Sequence, residues 1–179
     1  MNKTNKSEIK YLSIKLVIYT ILSILVIVFR HEFTEHLKPF IGTLMIVYGI
    51  EGILYEALFH KLHLIHENKS YLGLIELIFG VVLIASPLKF EYVCIIWATW
   101  SIVRESYEFK EIVSDMHTII PRILSGVESV VVIVFSVMLI LEPGEHHALT
   151  HMILLSVELI LSPLVVLLDE LLVAHKHKE

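Results

Sequence analysis

The sequence is dominated by apolar runs, each close to the length of a membrane-crossing helix. Six of them cover residues 12–29, 39–59, 71–88, 90–109, 118–141 and 148–173. A helix needs about 20 mostly apolar residues to cross the hydrocarbon core of a bilayer, and the runs occupy most of the 179-residue chain. The sequence therefore predicts an all-α fold, a polytopic membrane bundle of six transmembrane helices in a single domain over residues 1–179.

Composition also points to the lipid bilayer as the partner of this chain. Hydrophobic residues make up 56% of the sequence and charged residues 18%, whereas charged residues form about 25% of a typical soluble domain. This balance argues against a soluble globular domain and against a disordered chain. The single cysteine, Cys94, excludes an internal disulfide and a multi-cysteine metal site. No basic block indicates nucleic acid, and homo-oligomerisation stays open.

The distribution of lysine and arginine predicts the orientation of the helices. Ten of these residues lie on the side of the two termini and three on the opposite side, with Arg104 inside the fourth run. The ten are Lys3, Lys6, Lys10, Lys15, Lys61, Lys69, Lys110, Arg122, Lys176 and Lys178, and the three are Arg30, Lys38 and Lys89. Because positive residues are enriched on the cytoplasmic side, we expect a multi-pass protein of the cytoplasmic (inner) membrane with both termini cytoplasmic.

The six runs read as three weakly similar helical hairpins. Tyr55 and Glu56, near the end of the second run, have counterparts in Tyr107 and Glu108 near the end of the fourth. The third and fifth runs both contain glycine and both lead into a proline. The sequence therefore predicts three pseudo-repeated helical hairpins.

Three stretches resemble the HdeD-like family of small bacterial membrane proteins. Residues 74–87, which read LIELIFGVVLIASP, resemble the third helix of that family, residues 123–143 its fifth, and residues 46–50 its second. The resemblance covers most of the chain and implies six helices in three weakly similar pairs. It also implies an inner-membrane protein linked to acid resistance in enteric bacteria, without an established catalytic residue.

Ionisable residues inside the apolar runs are the most informative about function. They are Glu51, Glu76, Arg104, Glu105, Glu128 and Glu158, on helices two to six. A charged side chain near the bilayer centre costs about 2.5–3.5 kcal/mol on insertion, so we expect these groups to face one another, water or a bound cation. The sequence predicts a carboxylate-lined polar cavity that binds or passes protons or a cation. Arg104 is the expected counter-ion of Glu51 or Glu128.

Histidine spacing suggests a second kind of site. Glu56, His60 and His63 follow one another at i, i+4 and i+7, which places them on one helix face. Such a set could hold a divalent metal cation as a cofactor, although it lacks the fixed signature of a known zinc helix. His147 and His151 repeat the i, i+4 spacing on the other side. Histidine titrates near pH 6.5, so the eleven histidines are compatible with a role in acid or envelope stress.

Two other functions are compatible with the same residues. The buried acids can serve as interhelical hydrogen-bond clamps of a structural or interaction protein, each contributing about 0.6–1 kcal/mol. Trp97 and Trp100 in the fourth run can line the pocket of a small-ligand-binding transporter subunit. The sequence contains no serine-nucleophile elbow, metalloprotease helix or phosphate-cradling loop. We therefore favour a non-enzymatic protein with no catalytic residue, and keep a metal-bound intramembrane enzyme as the last alternative.

We predict that tags fused at residue 1 and at residue 179 are both cytoplasmic, because the lysine and arginine residues favour that side. A Glu145→Cys variant is expected to react with a membrane-impermeant thiol reagent added outside intact cells. The parent chain, whose single cysteine is Cys94, is the background control. Labelling of the introduced thiol only after permeabilisation would contradict this orientation.

Overall fold

The computed structural model describes residues 3–59, 69–115 and 118–176, and every regular element in these ranges is an α-helix. The helices are α1 (Lys3–Val28), α2 (Arg30–Glu35), α3 (Leu37–Phe59), α4 (Lys69–Ala85), α5 (Phe90–Asp115), α6 (Ile119–Leu141) and α7 (Glu145–Lys176). The prediction of an all-α protein is confirmed.

Four of these helices are long and apolar enough to cross a membrane. The qualifying segments are Ile9–Val28 in α1, Leu37–Leu54 in α3, Ile119–Leu141 in α6 and Glu145–Val173 in α7. The apolar part of α4, Tyr71–Ala85, is shorter, and α5 carries charged residues along its second half. By length and composition the four helices indicate a membrane protein.

The residues of α6 are distributed opposite to those of a soluble amphipathic helix. Its buried positions include Ser125, Ser129 and Ser136. Its exposed positions include Ile123 and Val127, which are 58% and 59% exposed. A helix in water buries its apolar side, whereas in lipid polar groups must be satisfied by other protein groups or by water. The distribution along α6 therefore fits a helix with apolar residues facing lipid and serines facing the protein interior.

The chain forms two compact units. Unit 1 comprises Met1–Thr34 and Cys94–Glu179, and unit 2 comprises Glu35–Val93. In unit 1, α1 and α6 each pack against α7. In unit 2, α3 packs against α4. The single transmembrane domain expected from the sequence stays a prediction.

Unit 2 is held together by glycines that let two helix backbones touch. A Cβ on Gly49 would lie 2.5 Å from the Gly73 carbonyl oxygen, and a Cβ on Gly73 would lie 2.7 Å from the Gly49 carbonyl oxygen. Gly42 and Gly80 form a second such pair. A Cβ on Gly42 would lie 3.0 Å from the Gly80 carbonyl oxygen, and a Cβ on Gly80 would lie 2.6 Å from the Gly42 carbonyl oxygen. Both members of each pair are therefore required to be small. Such close backbone approach is a common way for membrane helices to associate.

Polar side chains fix the packing of unit 1. Ser23 on α1 donates a hydrogen bond to the Ser156 carbonyl oxygen of α7 at 2.7 Å, in a buried position. Asp169 on α7 is buried, and its Oδ1 accepts from the Thr118 backbone N–H at 2.8 Å and also from the Thr118 hydroxyl. Thr118 precedes α6, so Asp169 satisfies an N–H group at the start of that helix. The α7 helix continues through Pro163.

Gly49→Ala is predicted to force α3 and α4 apart, because the added methyl group would lie 2.5 Å from the Gly73 carbonyl oxygen and 2.7 Å from the Leu77 nitrogen. Overpacking of this kind costs about 1–3 kcal/mol, which is measured as a lower unfolding temperature in detergent. Gly126→Ala is the matched control, because a Cβ there would meet Phe109 at an ordinary 3.9 Å. If both variants unfold at the same temperature, the close approach does not stabilise the protein.

Candidate functional site

Helices α5, α6 and α7 of unit 1 bring four carboxylates and one guanidinium together. We call this set the carboxylate cluster; its members are Arg104, Glu105 and Glu108 on α5, Glu128 on α6 and Glu158 on α7. Residues three or four apart share a helix face, which explains why α5 can supply three members. The cluster contains four of the six intramembrane residues singled out from the sequence.

Arg104 is the positive centre of the cluster. Its Nε lies 2.9 Å from Glu108 Oε1, one helical turn further along α5, and 3.9 Å from Glu158 Oε1 on α7. The guanidinium also lies 5.8 Å from the ring centroid of Trp100. Glu108 and Glu158 therefore lie within ion-pair distance of its Nε. The sequence led us to expect Glu51 or Glu128 as the main partner, and that pairing stays a prediction. Glu128 does lie within electrostatic reach of Arg104.

Glu105 is the most buried member of the cluster, with 2% of its surface exposed. The Ser129 hydroxyl on α6 hydrogen-bonds its carboxylate. The Glu108 carboxylate and the Arg104 guanidinium both lie within electrostatic reach of it. This hydrogen bond joins the inward-facing serines of α6 to the acids of α5.

Glu128 has the least balanced surroundings in the cluster. Its Oε1 is buried and has no hydrogen-bond partner among the described residues. The carboxylates of Glu158, Glu105 and Glu108 are all close enough to repel its charge. Glu158, whose carboxylate repels Glu128 most strongly of the three, is itself buried. A buried carboxylate oxygen without a donor is costly while it is charged.

The charges of the cluster do not balance when all its groups are ionised. One guanidinium cannot lose its proton, and it faces four carboxylates. A charge held near the bilayer centre costs about 2.5–3.5 kcal/mol, and neighbouring like charges add repulsion. Protons or a bound cation would relieve the excess negative charge of the buried members, whereas Glu108, 28% exposed, is partly accessible to solvent. The arrangement can thus hold protons at several neighbouring oxygens.

The remaining residues proposed from the sequence belong to unit 2 or lie outside the described residues. Glu51 on α3 is half-buried and Glu76 on α4 is buried, and both belong to unit 2. Their convergence with the cluster stays a prediction. His60 and His63 lie outside the described residues, and only the backbone of Glu56, in α3, is described. Within the ranges that are described, no group of three or more histidine, cysteine, aspartate and glutamate side chains is arranged to hold a metal ion.

Sequence reasoning missed two members of the site. Glu108 was noticed only as part of a repeat, although its i, i+4 spacing from Arg104 is a known helix pairing signal. Ser129 had no signal of its own, because serines are common in membrane helices. Its role depends on the rotation of α6, which turns Ser129 towards α5.

No family model matches the sequence, and neither a curated protein nor a solved structure matches it. The resemblance to the HdeD-like family therefore stays an expectation.

Arg104→Leu is predicted to destabilise the protein, because Glu108 and Glu158 lose the charge that they face. Removing one partner of a buried ion pair typically costs about 3–5 kcal/mol, which is measured by thermal unfolding in detergent. Adding Glu158→Gln to Arg104→Leu is expected to restore part of the loss. Arg30→Leu is the control, because Arg30 makes a weaker 3.3 Å bond to a backbone oxygen at an exposed site. An unchanged unfolding temperature in Arg104→Leu would show that the guanidinium stabilises none of these acids.

Proposed function

We propose that this protein binds protons at the carboxylate cluster of unit 1 and passes them between the two sides of a membrane. The proposal is supported by the convergence of four acidic side chains from three helices on one guanidinium. It is also supported by the apolar, exposed residues of α6 beside its buried serines. A buried carboxylate cluster in a membrane protein is a common basis of proton relays.

The observation that carries the proposal is the position of Glu128. Its buried Oε1 lacks a hydrogen-bond partner among the described residues, and three further carboxylates lie within repulsive reach. If the acids were only structural clamps, each polar atom would be expected to have a partner in a neighbouring helix. A carboxyl oxygen in these surroundings gains from taking up a proton.

A proton suits this cluster better than a divalent metal ion. Ca²⁺ and Mg²⁺ take about six or more oxygen ligands in a defined shell, whereas a proton needs one carboxylate oxygen and a neighbouring acceptor. Glu105, Glu128 and Glu158 supply neighbouring acceptors on three different helices. We therefore propose that the ligand of the cluster is the proton. The experiment below also tests binding of divalent cations.

We also propose that α4 and α5 cross the membrane together with the four long apolar helices, giving six transmembrane helices in three pseudo-repeated hairpins with both termini cytoplasmic. Exposed apolar residues on α4, such as Ile75, Ile78 and Phe79, support its contact with lipid. Burial of Glu105 supports a crossing by α5, since the charge is then shielded from lipid. The HdeD-like resemblance and the eleven histidines of the chain support a role in acid or envelope stress.

Acid is predicted to stabilise the wild-type protein in detergent, and Glu128→Gln and Glu158→Gln are predicted to flatten this response. The folded state takes up protons to relieve the repulsion between its acids, so its stability rises as the pH falls. Glutamine keeps the size and hydrogen-bonding capacity of the side chain but removes the charge. The measurement is the unfolding temperature across a pH series, repeated with Mg²⁺, Mn²⁺, Ca²⁺ and Zn²⁺, together with proton flux into liposomes.

Glu91→Gln is the matched control, because Glu91 is an exposed acid in the first turn of α5. It is expected to leave both the pH response and the proton flux unchanged. Stabilisation by one metal ion that both cluster variants abolish would favour a cation site over a proton site. If the wild-type curves ignore pH and every ion, and the variants superimpose on them, the acids are only structural clamps.

A further inference from the structure

A second buried polar group lies on α5 and α7 of unit 1, apart from the members of the carboxylate cluster. The rings of Trp97 and His151 meet edge to face, with centroids 4.5 Å apart. The Nε2 atom of His151 lies 3.3 Å from the Ser101 hydroxyl oxygen. Trp97 is fully buried and His151 is 3% exposed. His151, the second histidine of the i, i+4 pair that it forms with His147, therefore contacts α5.

Two nitrogen atoms of this group have no partner among the described residues. They are Nε1 of Trp97, which can only donate, and Nδ1 of His151, which can donate or accept. Buried polar atoms are almost always hydrogen-bonded, and a water molecule is the usual partner where no protein group is within reach. Both nitrogens belong to rings in direct contact, so one water molecule or a short file of them could serve both.

The group lies between one end of unit 1 and the carboxylate cluster. At the end where Glu142–Gly144 joins α6 to α7, His147 Nε2 lies 3.1 Å from Glu142 Oε2, and His147 is one turn from His151 on α7. In the other direction, Ser101 is one turn from Glu105 on α5. Polar groups thus recur at about every turn from the end of the unit to the cluster.

We propose that Trp97, Ser101 and His151 form a hydrated proton-transfer site that connects the Glu142–Gly144 end of unit 1 to the carboxylate cluster. The ligand of the site is water. The inference rests on the proposed function, and it adds the route and the side from which protons reach the acids.

The geometry defines how a proton crosses the imidazole ring. Water accepts the Trp97 indole N–H and donates to His151 Nδ1, so the ring proton sits on Nε2, facing the Ser101 oxygen. A proton arriving through the water binds Nδ1, and the Nε2 proton leaves to Ser101. The Ser101 hydroxyl releases its own proton towards Glu105. Each step forms one O–H or N–H bond and breaks one. The proton then sits on Nδ1, and reorientation of the imidazole ring, the Ser101 hydroxyl and the water file restores the starting state.

The charged and titratable groups on the helices around His151 favour this direction of transfer. Among the described side chains, the acids, bases and histidines are Glu91, Arg104, Glu105, Glu108 and Lys110 on α5; Arg122 and Glu128 on α6; Glu145, His146, His147, Glu158, Asp169 and Glu170 on α7; and Lys10 and Lys15 on α1, which packs against α7. The acids of the cluster are the acceptors nearest to Ser101 along α5.

The first test measures hydration directly. The chain has two tryptophans, so Trp97→Phe and Trp100→Phe assign the two indole N–H signals in an NMR spectrum of the full chain in detergent. The Trp97 indole N–H is expected to show magnetisation transfer from water and to exchange with D₂O within minutes. Protection of this N–H for days, at the level of a dry interior, would overturn the proposal.

The second test measures transfer in liposomes that carry a pH gradient and an internal pH dye. His151→Phe is expected to lower proton flux by about 100-fold, the lower end of the contribution of a positioned proton donor. His151→Gln is expected to lower it as well, although glutamine preserves polar packing. His31→Gln, at an exposed histidine of α2, is the control and should leave the flux unchanged.

The outcomes separate this inference from the proposed function. Loss of flux in both His151 variants, with the acid-dependent stabilisation by the cluster retained, supports the transfer site. Flux that is lost in Glu158→Gln but unchanged in both His151 variants leaves proton binding by the cluster standing and overturns the transfer site. A wild type that carries no flux and shows no acid-dependent stabilisation overturns the proposed function itself.

Discussion

The arrangement of this protein depends on the inability of lipid to solvate polar groups. A hydrogen-bonding group in the hydrocarbon core has to find its partner inside the protein. The α6 helix meets this constraint by burying Ser125, Ser129 and Ser136 and exposing Ile123 and Val127. The inward-facing polar surface that results is where α5 and α7 place their charged residues.

Burial of these charges leads to the chemistry that we propose. Arg104 offsets part of the negative charge and holds Glu108 and Glu158 near it, but it cannot balance four acids. Glu128 keeps a buried oxygen without a hydrogen-bond donor among the described residues. His151 lies on α7 two turns before Glu158 and is buried, and its Nδ1 has no hydrogen-bond partner within the described part of the chain. A bundle optimised only for stability would be expected to satisfy these atoms, since buried polar networks stabilise only when they are complete.

The site could be predicted in part. Glu105, Glu128 and Glu158 stand out because a charge inside an apolar run is visible without any knowledge of its neighbours. The pairing of Arg104 with Glu108 follows a local helix spacing and was within reach of the sequence. Ser129 was not, because many serines occur in these helices and only the rotation of α6 decides which of them meets α5.

The sequence by itself indicated a lipid environment, an all-α fold and the approximate ends of the helices. The apolar run 118–141, for example, corresponds to α6 at Ile119–Leu141, because apolar length is a local property that lipid selects directly. Only the tertiary structure decided that Gly49 faces Gly73 and that His151 meets Trp97. These contacts depend on helix rotation and on separations of a few ångströms between segments distant in sequence, and residue spacing along one helix does not encode either quantity.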